Sequence, residues 1–190
     1  MHWLVGDAFE AQVVCEDAPG SRFRAAVDIE GLLWTGDLNA GLACARKHDR
    51  RVFLAIHAVA DTNARYNELT AFREPRVRTA MKRYLLVMLH VDWVPPAFLL
   101  TPTHGELRKV GEANLKFEQV RFGTLQEPLY AVLQPTGDGD FHVVGIHDQV
   151  CLRDTERFES FLHYPHVTPR DGWWRSVVDK VQSAVKKAKQ

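Results

Sequence analysis

The stretch Val52-Phe53-Leu54-Ala55-Ile56-His57-Ala58-Val59-Ala60-Asp61-Thr62-Asn63-Ala64-Arg65 decides the fold. Val52–Ile56 is an unbroken apolar run, short enough and apolar enough to be a strand buried on both faces. Ala58-Val59-Ala60 is a brief connection. Asp61 then carries the side chain of a helix N-cap, able to accept the backbone N–H groups that a first helical turn leaves unpaired. A helix is expected over 61–72.

Working outward, Asp37 caps an earlier helix in which Leu38, Leu42 and Ala45 recur at helical spacing and Arg46-Lys47-His48 suit the C-terminal dipole. Gly31–Trp34 is a short apolar lead-in to it, and Phe9–Cys15 is a candidate strand. Pro75 opens a short helix with Val77, Ala80 and Met81 facing inward. Leu85–Val91 is a second doubly buried strand. Trp93–Thr103 holds three prolines and forms a loop. Glu106–Phe122 is helical, with Leu107, Val110 and Phe117 on one side. Leu129–Leu133 and Phe141–Ile146 form a hairpin about the turn at 135–139. Thr155–Leu162 is a helix, and another runs from about Asp171 to the end. Alternating strands and helices followed by a hairpin predict an α/β fold with a mixed central sheet and helices on both faces.

The order and the residues resemble the thioredoxin superfamily, in particular the C-terminal thioredoxin-like domain of thiol:disulfide interchange proteins of the DsbD type. The resemblance covers about residues 34–163. It rests on Trp34 followed by the helix at 38–48, on Val52–Glu68, and on Arg121-Phe122-Gly123-Thr124-Leu125-Gln126-Glu127-Pro128-Leu129-Tyr130, which is similar to the family segment carrying a cis-proline. It implies a thioredoxin-like three-layer sandwich over 34–163, an N-terminal extension over 1–33, and a C-terminal linker with an amphipathic helix over 164–190. Where the family keeps Cys-x-x-Cys, this chain reads Asp61-Thr62-Asn63-Ala64. Thiol–disulfide exchange needs an attacking thiolate and a second thiol to resolve the mixed disulfide. Asp61 and Ala64 supply neither, and Ala55 stands where the family tends to place a buried acid. The chain therefore resembles a redox fold without its redox atoms.

Asp61 as an N-cap contributes about 1 kcal/mol. A role as catalytic acid lacks a second carboxylate or a metal-binding set beside it in sequence. His57 could reach the same surface and form a polar pair with Asp61; a histidine at the solvent edge is the simpler reading. In the family, backbone beside the cis-proline pairs with an extended substrate peptide. Ala60, Asp61, Glu127 and Pro128 are thus a candidate peptide-binding surface, and Pro128 could equally serve the fold alone.

The 190 residues carry equal numbers of Lys+Arg and Asp+Glu, 24 each, which argues against a nucleic-acid footprint. No apolar run reaches the length of a membrane span. Cys15, Cys44 and Cys151 are odd in number and widely spaced, without zinc-ligand spacing, so three free thiols are expected. No signal sequence follows Met1, which predicts a cytoplasmic protein if Met1 is the native start. No catalytic residue, metal set or cofactor is expected. The terminal helix presents Trp174, Val177, Val178, Val181 and Val185 as a stripe followed by Lys186, Lys187 and Lys189. It either docks on its own domain or meets a membrane or partner, with Trp173 and Trp174 keeping the second reading open. The expected function is a redox-inactive protein- or peptide-binding or scaffolding module. The alternative is an atypical thiol oxidoreductase that uses a non-standard cysteine, such as Cys44, or a partner's thiol.

Overall fold

The fold is seen in a computed structural model, which describes residues 12–16, 21–125 and 127–166. The strands are β1 (Val27–Ile29), β2 (Leu32–Thr35), β3 (Val52–His57), β4 (Leu85–His90), β5 (Leu129–Pro135) and β6 (Phe141–His147). They form one six-stranded sheet in the order β1-β2-β4-β3-β5-β6. β4 runs parallel to both β2 and β3, while the other neighbours are antiparallel. Every residue of β3 and of β4 is buried, as expected for central strands covered on both faces.

The helices are α1 (Leu38–Lys47), α2 (Thr62–Leu69), α3 (Pro75–Met81), α4 (His104–Phe122) and α5 (Thr155–His163). On one face, Leu42 and Ala45 of α1 and Phe122 of α4 pack over Leu54, Ile56, Val87 and Leu89. On the other, Val77, Ala80 and Met81 of α3 and Phe158 and Phe161 of α5 cover Phe53, Ala55, Leu86 and Met88. Alternation along β3 and β4 divides the side chains between these two layers. This is the expected α/β three-layer arrangement.

Helix α2 ends at Leu69, and a 3-10 turn at Ala71–Arg73 continues the path to Phe72. Helix α4 starts earlier than its apolar pattern implies, because Thr103 and Glu106 form a capping box. It ends at Gly123, whose φ of 64° suits the left-handed C-cap.

Residues 12–16 form no strand. The Gln12 side chain instead bonds both main-chain groups of Leu33, donating to the carbonyl at 2.6 Å and accepting from the N–H at 2.9 Å. The lead-in at 31–34 is the second arm of a hairpin. Glu30 and Gly31 turn it with φ of 55° and 76°, the positive pair of a two-residue turn. Glu is a poor residue for such a position. It is held there by Arg73, which ion-pairs with its carboxylate at 2.6 Å, and by Arg78, which donates to its carbonyl at 2.8 Å. Residues 27–33 thus belong to the same sheet as the rest, and the expected boundary between 33 and 34 falls inside β2.

The expectation of three free thiols is overturned. Cys15 and Cys44 form a disulfide with Cα atoms 5.9 Å apart, and Cys151 is free. Spacing alone could not pair residues separated by 29 positions. The fold brings the N-terminal segment up to α1, where Val13, Cys15, Leu38 and Cys44 all pack against the same core layer. In a chain-entropy treatment, closing a loop of this size stabilises the fold by roughly 3–4 kcal/mol. The segment from 167 onward, including the expected terminal helix and its stripe, lies outside the described residues. Among the described residues, no helix is long and apolar enough to cross a membrane.

Candidate functional site

The carboxyl ends of the parallel strands β3 and β4 meet the start of α2, the loop after β4 and the segment before β5. Asp61 is the N-cap of α2, and its Oδ1 accepts from Asn63 N–H at 2.8 Å and Ala64 N–H at 3.0 Å. The carboxylate is therefore directed at its own helix end, where the dipole favours negative charge. Ala64 and Ala55 are buried, Ala55 between Met88 and Tyr130 in the sheet register. Neither position offers a reactive atom.

The Glu127–Pro128 peptide bond is cis, and Pro128 is buried. Glu127 reaches across to the β3–α2 connection, where its Oε2 accepts from Ala58 N–H at 2.6 Å. From another side, the Asp92 carboxylate accepts from Val59 N–H at 3.0 and 3.1 Å and from Trp93 N–H at 2.7 Å. Two carboxylates thus tie three loops together. Gly111 of α4 sets the third loop close to the helix, since a Cβ there would lie 2.5 Å from the Asp92 carbonyl oxygen. Around this knot Val59, Ala60, Trp93 and Leu125 are exposed.

Asn67 fixes the direction of α2 from below. Its side chain donates to Tyr130 Oη at 2.8 Å and to the Val150 carbonyl at 2.7 Å, and accepts from Leu152 N–H at 2.8 Å. The helix is thereby pinned to β5 and to the segment leading into α5.

His57 is not at the solvent edge. It is 4% exposed and faces His90, its register partner on β4, with ring centroids 4.9 Å apart. Its Nδ1 lies 2.9 Å from the Ala58 carbonyl. A carbonyl can only accept, so Nδ1 holds the proton, leaving Nε2 3.7 Å from Glu68 Oε1. The partner is thus Glu68 rather than the expected Asp61. Burial, with the neighbouring His57, lowers the His90 pKa to about 3, so this ring is neutral. Sequence reasoning missed His90, Glu68 and Glu118. The available signal for the first was that both doubly buried strands end in a histidine or just before one.

Glu118 of α4 is fully buried, and neither of its carboxylate oxygens has a hydrogen-bond partner among the described residues. Burial, then the negative charge of Glu127, raises its pKa from 4.5 to about 8. Glu127 is raised as well, first by burial; the Ala58 N–H bond opposes this and Asp61 adds to it. Between pH 4.5 and about 8 the folded chain holds a proton on Glu118 that the unfolded chain has released. Stability therefore falls as pH rises through that window and levels off above it. Glu118→Leu is expected to flatten this slope and to raise stability at pH 8 by on the order of 2 kcal/mol. Urea melts at pH 5 and pH 8 read both effects; a destabilised variant at pH 8 would show that the carboxylate has a stabilising partner.

Among the described residues, no group of three or more His, Cys, Asp or Glu side chains is arranged to hold a metal ion. The site offers a cluster of carboxylates, an exposed apolar rim and a rigid backbone path along 58–61 and 127–128.

No family model matches the sequence, and no curated protein does. Among solved structures, the fold is similar to the solution structure of a thioredoxin from Thermus thermophilus, with a TM-score of 0.50 and 20% sequence identity over 68% of this chain and 83% of that one. The chain has a thioredoxin-like fold.

Proposed function

We propose that this chain is a redox-inactive thioredoxin-like domain, its Cys-x-x-Cys replaced by Asp61-Thr62-Asn63-Ala64, that binds an extended segment of a partner protein across Ala60, Asp61, Glu127 and Pro128. The observation that carries the reading is the three-loop knot. Glu127 and Asp92 hold the connection at Ala58 and Val59 in place, so that backbone on either side is rigid before a partner arrives. Preorganised backbone reduces the ordering cost of binding. The exposed Val59, Trp93 and Leu125 supply apolar contact, and aromatic anchors carry much of the energy of such surfaces. With Asp61, Asp92 and Glu127 crowded at the same place, the favoured partner is an extended apolar segment flanked by Lys or Arg. The DsbD-type resemblance supports the descent of this surface from one that held substrate peptides.

The competing reading, an oxidoreductase with a free Cys44 thiol, has less support because Cys44 is bonded to Cys15. An array of extended peptides, followed by titration of the best binders, tests the proposal. Trp93→Ala is expected to weaken binding by about tenfold or more. Binding that is indifferent to Trp93→Ala, Leu125→Ser and Glu127→Gln alike would place the contact surface elsewhere.

A further inference from the structure

We propose that the Cys15–Cys44 bridge is a redox-operated clasp: a dithiol reductant opens it and releases the N-terminal segment from α1, independently of the vacated redox position at α2. Residues 12–16 have few other attachments. Among the described residues, their backbone groups pair with no main-chain group of the body of the fold. What remains is the Gln12 side chain on Leu33 and the half-buried Val13 and Cys15 on the core layer beneath α1. The covalent bond is thus the dominant hold on this segment. Both cysteines are only partly buried, so an attacking thiol has a path to the sulfurs. On the body side, Cys44 sits in a complete helix with Leu42 and Ala45 buried on either side of it, so that helix has its own hold when the bridge opens.

The exchange follows from ordinary thiol chemistry. A thiolate of the reductant attacks Cys15 Sγ, forming a mixed disulfide and expelling the Cys44 thiolate, which takes a proton from water. The second thiol of the reductant then attacks its own sulfur in the mixed disulfide, expelling the Cys15 thiolate, which is protonated in turn. The reductant loses two electrons and becomes a disulfide; the protein gains two electrons and two thiols. Opening the bridge lifts Val13 and Cys15 away and uncovers the part of the core layer beside Leu38 and Cys44. Disulfides persist in oxidising compartments and are scarce in a reducing cytosol, so the clasp is set by where the chain resides. The bridge bears against the cytoplasmic expectation for its closed state.

The test uses the full chain with Cys151→Ser, equilibrated in dithiothreitol or in oxidised glutathione. Mass-tagging of thiols is expected to count none after oxidation and two after reduction. On reduction, cleavage by a nonspecific protease within residues 12–16 should quicken by at least about tenfold more than cleavage within β3 and β4, as for release of a local segment. Cys15→Ser should show the same fast cleavage in either buffer. Two free thiols under oxidising conditions would remove the bridge, and unchanged cleavage on reduction would show that it staples a segment held by other means. Equal quickening across the whole sheet would make the bridge part of the global fold and overturn its role as a clasp.

Discussion

Phe53→Ala is expected to cost about 3–5 kcal/mol of folding stability, the range for a fully buried phenylalanine in a well-packed core. Phe53 lies at the centre of the layer beneath α3 and α5. Its ring is 6.1 Å from Trp34, 6.3 Å from Tyr84, 5.9 Å from Tyr130 and 6.0 Å from Phe158. Two of these neighbours also serve as anchors: Tyr84 Oη donates to the Leu162 carbonyl, and Tyr130 Oη accepts from Asn67. A void at Phe53 therefore loosens both the seat of α5 and the support of α2. A loss of this size is a large part of the roughly 5–15 kcal/mol that holds an ordinary domain together. Urea unfolding followed by far-ultraviolet circular dichroism reads the change. A cost below about 1 kcal/mol would mean that the surrounding rings collapse into the space, contrary to the usual behaviour of close-packed interiors.

The second large effect is a gain of chemistry. Wild-type chain is expected to reduce insulin with dithiothreitol as donor no faster than background, whereas Asp61→Cys combined with Ala64→Cys should create a pair that closes an intramolecular disulfide on mild oxidation. Position 61 is the N-cap of α2, where unpaired N–H groups and the helix dipole favour a thiolate. Position 64 lies one turn on, and residues three apart on a helix are near enough for disulfide geometry. Replacing Asp61 removes two hydrogen bonds to Asn63 and Ala64 and so costs about 1 kcal/mol. Turnover should remain modest, because Ala55 has no group to carry a proton beneath the pair. Wild-type turnover that persists after Cys15→Ser, Cys44→Ser and Cys151→Ser together would reveal a mechanism outside thiol exchange. Turnover abolished by Cys44→Ser alone would revive the oxidoreductase reading.

Much of the chain was legible from its residues because the relevant forces act over a few positions. Val52–Ile56 and Leu85–Val91 are apolar on both faces, so each had to be a covered strand. Asp61 and Asp37 punctuate helices through bonds to backbone within three residues, and the structure finds each in that role. Glu127 and Pro128 were singled out through the resemblance of 121–130 to the family segment that carries a cis-proline.

What escaped the sequence depends on partners far away along the chain. Glu30 accepts a positive φ because Arg73 and Arg78 hold it, so the hairpin at 27–35 has no clear local signature. Cys15 and Cys44 meet because Gln12 and Val13 lay the N-terminal segment against β2 and α1. Glu118 looks like any charged residue on a long helix; its burial beside Glu127 exists only once α4 packs at the end of β4, where Asn114 donates to the His90 carbonyl. Local periodicity and capping thus determined the elements, and the family resemblance pointed to the position of the candidate site. Desolvation, charge pairing and cross-linking sum contributions from segments distant in sequence, so only the assembled sheet and helices decided the ionisation of the site and the covalent state of the chain.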